Sequence, residues 1–149
     1  MRVVVQRVKE ASVVVDEKIV SKIEKGFLLL VGIRKDDTLK EIEYVARKVG
    51  KLRIFDDSDG KLNLGIKEID GQILSISQFT LYGETHKSNR PGFSLAMAYE
   101  KANELYLKFN EILRQEFKIN VLPGVFGAHM DVSLINDGPV TIIIEKTNQ

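Results

Sequence analysis

The run Gly26-Phe27-Leu28-Leu29-Leu30-Val31-Gly32-Ile33 limits what this chain can become more than any other stretch. It is apolar throughout, so a strand made from it is buried on both faces rather than one. Such a strand needs packing above and below, and the chain's two helical patterns are expected to lie outside the sheet. The first opens with Thr38 and Glu41 at capping-box spacing, where each side chain satisfies a backbone N–H of the other. Ile42, Val45, Ala46 and Val49 follow as an apolar stripe, and Gly50 closes the helix. The second, capped by Ser94, carries Ala98, Ala102, Leu105, Phe109, Ile112 and Leu113 on one face, a stripe read as core packing.

β-Branched and apolar runs predict about eight strands. They cover residues 3–8 and 11–15 (a hairpin or two short neighbours), then 19–23, 26–33, 52–55, 72–82, 125–135 and 140–145. Residues 56–60, 83–92 and Asn136-Asp137-Gly138-Pro139 read as turns or loops. The order is not a strict βαβα alternation. The expected fold is α/β (mixed α-β): a single domain over residues 1–149, with mixed β-sheets forming a partly barrel-like core and two long helices packed outside.

Composition excludes several function classes. The apolar runs are too short for a membrane span, and the first residues read as a strand rather than a signal peptide. With no cysteine there are no disulfides, thiolate metal sites or cysteine nucleophiles, which suits a reducing cytoplasm. Lys and Arg number 22 against 21 Asp and Glu, a net charge of +1, so the basic excess of a duplex-wrapping protein is missing. Local clusters remain at Arg47, Lys48, Lys51 and Arg53, and at Lys87 and Arg90. They read as solvated faces, or as a hold on a short single-stranded end.

The chemistry-bearing stretch is Ser77-Gln78-Phe79-Thr80-Leu81-Tyr82, where hydroxyls and a carboxamide end an apolar run. Thr80 or Ser77 with His86 or His129 would make a formal triad, but no nucleophile-elbow pattern is present. His129 and Asp131 share a strand face and amount to one ligand pair, not a metal site. Aligning Asp57, Asp59 and Gly60 on a calcium loop puts Phe55 and Ile66 at the end ligand positions, which rules that loop out. No carboxylate pair stands out for glycoside chemistry. Neither a metal nor a cofactor is therefore expected. Gly138-Pro139 reads as a turn whose glycine lets backbone approach a ligand closely.

Together these stretches resemble the D-aminoacyl-tRNA deacylase family. The resemblance runs from Val5-Gln6-Arg7-Val8 through Leu52-Arg53-Ile54-Phe55 and Gly60-Lys61-Leu62-Asn63. It continues in Ser77-Gln78-Phe79-Thr80-Leu81, Arg90-Pro91-Gly92-Phe93 and Asn136-Asp137-Gly138-Pro139-Val140-Thr141. Leu62 stands where methionine is usual, a volume-conserving change, and His129 occupies a variable position before Met130.

The resemblance implies a hydrolase that cleaves the ester between a D-amino acid and the terminal ribose of tRNA, and that also removes glycine from mischarged tRNA. It implies a cytoplasmic homodimer whose partners are aminoacyl-tRNA acceptor ends, with each site near the subunit interface. The cis Gly138-Pro139 of one subunit would enter the other's pocket. There its carbonyls would meet the α-amino group of a D-substrate and obstruct an L-aminoacyl group. Arg7 would hold that turn, and Met130 would line the pocket. The backbone N–H groups of Phe79 and Thr80 would stabilise the oxyanion, while Ser77 and Gln78 place the terminal adenosine. The RNA 2′-hydroxyl would activate or position water. Two rivals are a non-catalytic module holding the tRNA acceptor end and a structural homodimer without a ligand.

Overall fold

The computed structural model describes residues 1–148. Its strands are β1 (Arg2–Val15), β2 (Lys18–Ile23), β3 (Gly26–Gly32), β4 (Phe55–Asp56), β5 (Leu62–Leu64), β6 (Gln72–Ser77), β7 (Asn120–Pro123) and β8 (Asp131–Glu145). The helices are α1 (Leu39–Lys51) and α2 (Tyr99–Phe117), and a 3₁₀ turn covers Phe79–Tyr82. A six-stranded mixed sheet runs in the order β2-β1-β3-β6-β7, with β8 also paired to β1. β1 is antiparallel to β2, β3 and β8, whereas β3–β6 and β6–β7 are parallel. The sheet curls into a nearly closed, barrel-like form. The Ser21 hydroxyl in β2 draws its far edges together by donating to the Pro123 carbonyl in β7 at 2.7 Å.

β3 is covered on both faces, as its sequence requires. Phe27, Leu29 and Val31 join the larger core under α1 and α2, and Leu28 joins a second core with Val8, Val13, Leu74 and Ile76. Fully burying one such side chain contributes about 1.5–3 kcal/mol, so this strand anchors both layers. The capping box of α1 forms as expected: the Glu41 carboxylate accepts from the Thr38 N–H at 2.7 Å.

Several boundaries differ from expectation, each for a tertiary reason. Residues 2–15 make one strand, because β1 changes partner from β3 to β2 along one edge while β8 follows the other. Gly50 lies inside α1 rather than closing it. A Cβ there would sit 2.6 Å from the Phe117 ring, so the glycine admits that ring between the helices. Leu52, in extended conformation, ends α1 instead, and only Phe55 and Asp56 of the 52–55 run become strand. Ser94 caps nothing. The segment after it bonds to the end of β3, Met97 N–H to Ile33 O at 3.0 Å, which delays α2 to Tyr99.

β7 lies before the expected 125–135 strand, and β8 begins only at Asp131. Between them Gly127 adopts φ +80°, a turn closed over by Tyr99. The residues read as a separate turn at 136–139 belong to β8 itself. Gln6 pairs with Thr141 and Val8 with Asn136, so residues 137–140 stand out as an excursion opposite Arg7. Among the described residues no helix is long and apolar enough to cross a membrane.

Candidate functional site

β6 stops at Ser77 because its neighbours stop. Ser77 pairs with Val31, the penultimate residue of β3, and β7 ends opposite Ser75. The strand expected to reach Tyr82 therefore turns at Gln78, whose N–H still donates to Val31 O at 2.7 Å. The chain then winds into the 3₁₀ turn, closed by Leu81 N–H to Gln78 O at 3.2 Å and Gly83 N–H to Thr80 O at 2.9 Å. The first N–H groups of such a turn point out of its ladder. Those of Phe79 and Thr80 have no acceptor among the described residues.

The turn is fixed from behind. Arg2 donates from Nη1 to Leu81 O at 2.7 Å, and its guanidinium lies 5.0 Å from the Tyr82 ring centroid. Gly32, at the end of β3, lets Leu81 pack directly on the strand, since a Cβ would meet Leu81 Cβ at 2.9 Å. Burial pushes the Tyr82 phenol well above its ordinary value, so it stays neutral beneath the turn.

Beside the turn lies a cleft of about 500 Å³, large enough for a small organic group. Ser77, Gln78 and Phe79 form one side of it, and Met130 lines another. Tyr99, Tyr106 and Phe126 make an aromatic wall, with the Phe126 ring 5.0 Å from Tyr99 and 5.6 Å from Tyr106. The Tyr106 hydroxyl donates to Ser75 O at 2.6 Å, tying α2 to β6 just before the turn. Burial raises the Tyr106 pKa, partly offset by hydrogen bonds, so the phenol remains a donor at neutral pH.

The structure thus brings Ser77, Gln78, Phe79 and Met130 to one cleft, with Thr80 next along the turn. It gives Thr80 no base. The Thr80 hydroxyl accepts a hydrogen bond from Gln78 Nε2, and no hydrogen bond among the described residues joins either imidazole to Ser77 or Thr80. His86 is solvated beside Glu84, and His129, at the cleft rim, faces Asp131 at 3.6 Å. Among the described residues no group of three or more His, Cys, Asp or Glu is placed to hold a metal ion. The Asp57 carboxylate instead holds its own turn through the N–H groups of Asp59 and Lys61.

Gly138, Pro139 and Arg7 lie away from this cleft. The Gly138–Pro139 peptide is cis, and both residues are exposed at the β8 excursion. Arg7 is buried behind it. Its Nε donates to Asp137 O at 2.8 Å and its Nη1 to Ile54 O at 2.9 Å, with Asp56 Oδ1 at 3.3 Å. Asn136 clasps the other side, its Oδ1 accepting from Val140 N–H at 2.7 Å.

Sequence reasoning missed Gly32, Arg2, Tyr99, Tyr106 and Phe126 as parts of the site. Tyr99 and Tyr106 stand seven residues apart on α2, a spacing that puts them on one face and was available as a signal. Nothing local marks Gly32 or Phe126.

The family model described as D-Tyr-tRNA(Tyr) deacylase matches residues 4–145. A D-aminoacyl-tRNA deacylase of Clostridium novyi (strain NT) is 52% identical over 149 residues, covering 100% of this chain and 99% of the relative. One from Thermotoga petrophila is 50% identical over 147 residues, covering 99% and 98%. Among solved structures, the c-Myc DNA Unwinding Element Binding Protein superposes with a TM-score of 0.92 at 43% identity, covering 99% of each chain.

Proposed function

As the chain belongs to the D-Tyr-tRNA(Tyr) deacylase family and is a hydrolase of D-aminoacyl-tRNA, we propose that it cleaves the ester with a backbone cradle and no protein nucleophile. The observation carrying this is the pair of uncommitted N–H groups, Phe79 and Thr80, beside the cleft. The aminoacyl group occupies the cleft, and the ester carbonyl oxygen lies against those donors. Water adds to the carbonyl carbon, and the N–H groups receive the oxyanion that forms. The carbon–oxygen bond to the terminal ribose then breaks, and the departing alkoxide takes a proton to leave free tRNA and a D-amino acid. Donors fixed in place need no reorganisation when the charge develops, and removing one such donor elsewhere typically costs about 10²–10³ in kcat. The neighbouring 2′-hydroxyl of the RNA positions the water. Ser77 and Gln78 shape the mouth where the terminal adenosine sits.

The chain acts as a homodimer in which one subunit's Gly138–Pro139 closes the other's cleft. Three features support this reading. The excursion is exposed and hydrogen-bonded from behind by Arg7, it lies outside its own cleft, and β8 pairs among the described residues only with β1 and carries the exposed Ile135 and Ile143. A backbone probe reads the α-carbon rather than the side chain, so it accepts many D-amino acids and glycine but obstructs L-aminoacyl groups. The reaction needs no cofactor and belongs in the cytoplasm, where charged tRNA is.

A second reading is a non-catalytic nucleic-acid module, in keeping with the DNA-element binding named for one structural relative. Matched D- and L-aminoacyl-tRNA separate the two. The proposal expects loss of the D-ester alone. Equal rates for both enantiomers, or no hydrolysis, would sink it.

A further inference from the structure

On the far side of α1 from the core lies a groove of about 610 Å³ that the reaction above leaves unused. Lys40, Tyr44, Lys48 and Lys51 recur along this face at helical spacing, opposite the buried Ile42, Val45, Ala46 and Val49. Arg53 closes one end, held by the Asn63 carbonyl at 2.8 Å. Lys146 reaches in from beyond β8. Its Nζ lies 5.2 Å from the Tyr44 ring centroid, and Lys48 Nζ lies 5.7 Å from the same ring.

Glu43 is the one acidic residue in the groove lining, and it is engaged by Arg47. Arg47 pairs with Glu43 and Glu116, but Lys40, Lys48, Lys51 and Lys146 have no ion-pair partner among the described residues. The whole chain carries a net charge of only +1, so three such lysines along one groove, with Lys146 beside it over the half-exposed Tyr44, are a local concentration. The helix dipole accounts for part of it, because Lys48 and Lys51 sit in the last turn where cations are favoured. It does not account for Lys40, which lies in the first turn, where a cation is disfavoured, or for Lys146, which is not on the helix. From Lys40 to Lys51 the helix rises about 16 Å, at 1.5 Å per residue. That is a row of cations, the complement of a row of phosphates.

The groove also has a position relative to the site. It ends at Arg53, and the next residue, Ile54, accepts from the same Arg7 that holds Asp137 O. One buried guanidinium therefore ties the end of the groove to the Gly138–Pro139 excursion. We infer that this groove holds backbone phosphates of the tRNA acceptor stem, and that each subunit carries the RNA whose aminoacyl end lies in its partner's cleft. The inference rests on the deacylase and dimer readings above. RNA would run from one subunit's α1, past its own Gly138–Pro139, into the neighbouring cleft.

The test uses the full chain with the pair Lys48→Gln/Lys51→Gln, both exposed and without an ion-pair or side-chain hydrogen-bond partner among the described residues, with Tm measured beside activity. Deacylation of D-tyrosyl-tRNA is measured at several salt concentrations beside that of D-tyrosyl-adenosine, which has no stem. The pair is expected to raise KM for the tRNA several-fold and leave kcat unchanged. It should also flatten the log KM against log salt slope by about 1 per lysine. The adenosine ester should be unaffected, and Lys48→Arg/Lys51→Arg should restore the slope. Lys22→Gln/Lys101→Gln, on exposed faces elsewhere, serves as the control. An unchanged tRNA KM and slope in the first pair, with D-specific hydrolysis intact, overturns the groove and leaves the deacylase reading standing. An equal loss on D-tyrosyl-adenosine, or the same loss in the control pair, overturns it too. Failure of the unsubstituted protein to act on either substrate overturns the reading beneath it.

Discussion

A backbone N–H cannot be deleted by ordinary substitution, but the turn that presents it can be moved. Gly32→Ala does this from outside the cleft. The new Cβ would stand 2.9 Å from Leu81 Cβ, 3.2 Å from Leu81 Cδ1 and 3.2 Å from Gln78 O, all parts of the segment carrying the Phe79 and Thr80 donors. Apolar carbons pack at about 3.5–4.0 Å, so something must give by roughly 0.6 Å. Gly32 is paired to Arg2 inside the sheet, whereas the 3₁₀ turn is a short surface element, so the turn moves. A misplacement of about 1 Å can cost 10²-fold in rate, so half that distance corresponds to roughly tenfold, or about 1.4 kcal/mol of barrier. Overpacking of this kind also costs about 1–3 kcal/mol of stability, equivalent to roughly 2–12 °C of Tm in a chain this long. Single-turnover deacylation of D-aminoacyl-tRNA, run well below the melting temperature, isolates the chemical step. The expected result is a roughly tenfold slower step with nearly unchanged tRNA affinity. A lowered Tm with an unchanged rate would refute the assignment of these two N–H groups as oxyanion donors.

Other substitutions separate side chain from backbone. Thr80→Ala keeps the N–H and is expected to retain most activity. Collapse to background with the fold intact by circular dichroism would make its hydroxyl the nucleophile after all. Gly138→Ala places a Cβ 2.8 Å from Val140 Cγ2 and 3.2 Å from Arg7 Nη2, at a φ of +138° that L-residues rarely adopt. It should lower D-ester turnover or relax L-rejection, and unchanged values for both would refute the Gly-Pro selector. Glu41 has its pKa lowered, chiefly by the hydrogen bond from Thr38, below the usual 4.5. A depressed carboxylate stabilises the fold above its unfolded pKa and loses that contribution as pH falls through the folded one. Urea midpoints of the native chain should therefore drop below about pH 4.5 more steeply than those of Glu41→Gln, and parallel acid profiles would contradict this.

The parts legible in the sequence were those decided locally. Thr38 and Glu41 form their capping box between themselves, and the apolar run of β3 needs cover on both faces whatever provides it. The parts that were not legible depend on partners. Residues 79–82 have strand-forming side chains but no strand to pair with once β3 and β7 end, so propensity yields to topology. Gly50 looks like a helix stop until Phe117 arrives from the other helix. The site divides in the same way. The motif residues Ser77 to Thr80 stand out as polar groups on an apolar strand, whereas Gly32 matters only because Leu81 packs on it. The separation of Arg7, Gly138 and Pro139 from the cleft follows from β-pairing that no spacing in the sequence displays.

The pairing of β1 with β8 joins the two ends of the chain: Arg2 stands opposite Glu145, and their side chains form an ion pair at 2.5 Å. During synthesis the first strand therefore leaves the ribosome long before its last partner exists. At about 5–20 residues per second, one edge of β1 waits on the order of ten seconds or more. Arg7 spends that time without Asp137, the excursion it is to hold. A transcript truncated before β8 yields a chain with an open sheet edge, prone to sticking to other strands, and without the Gly138–Pro139 excursion. A chain that lacks β8 is on this reasoning a client for chaperones and proteases rather than a weakened enzyme.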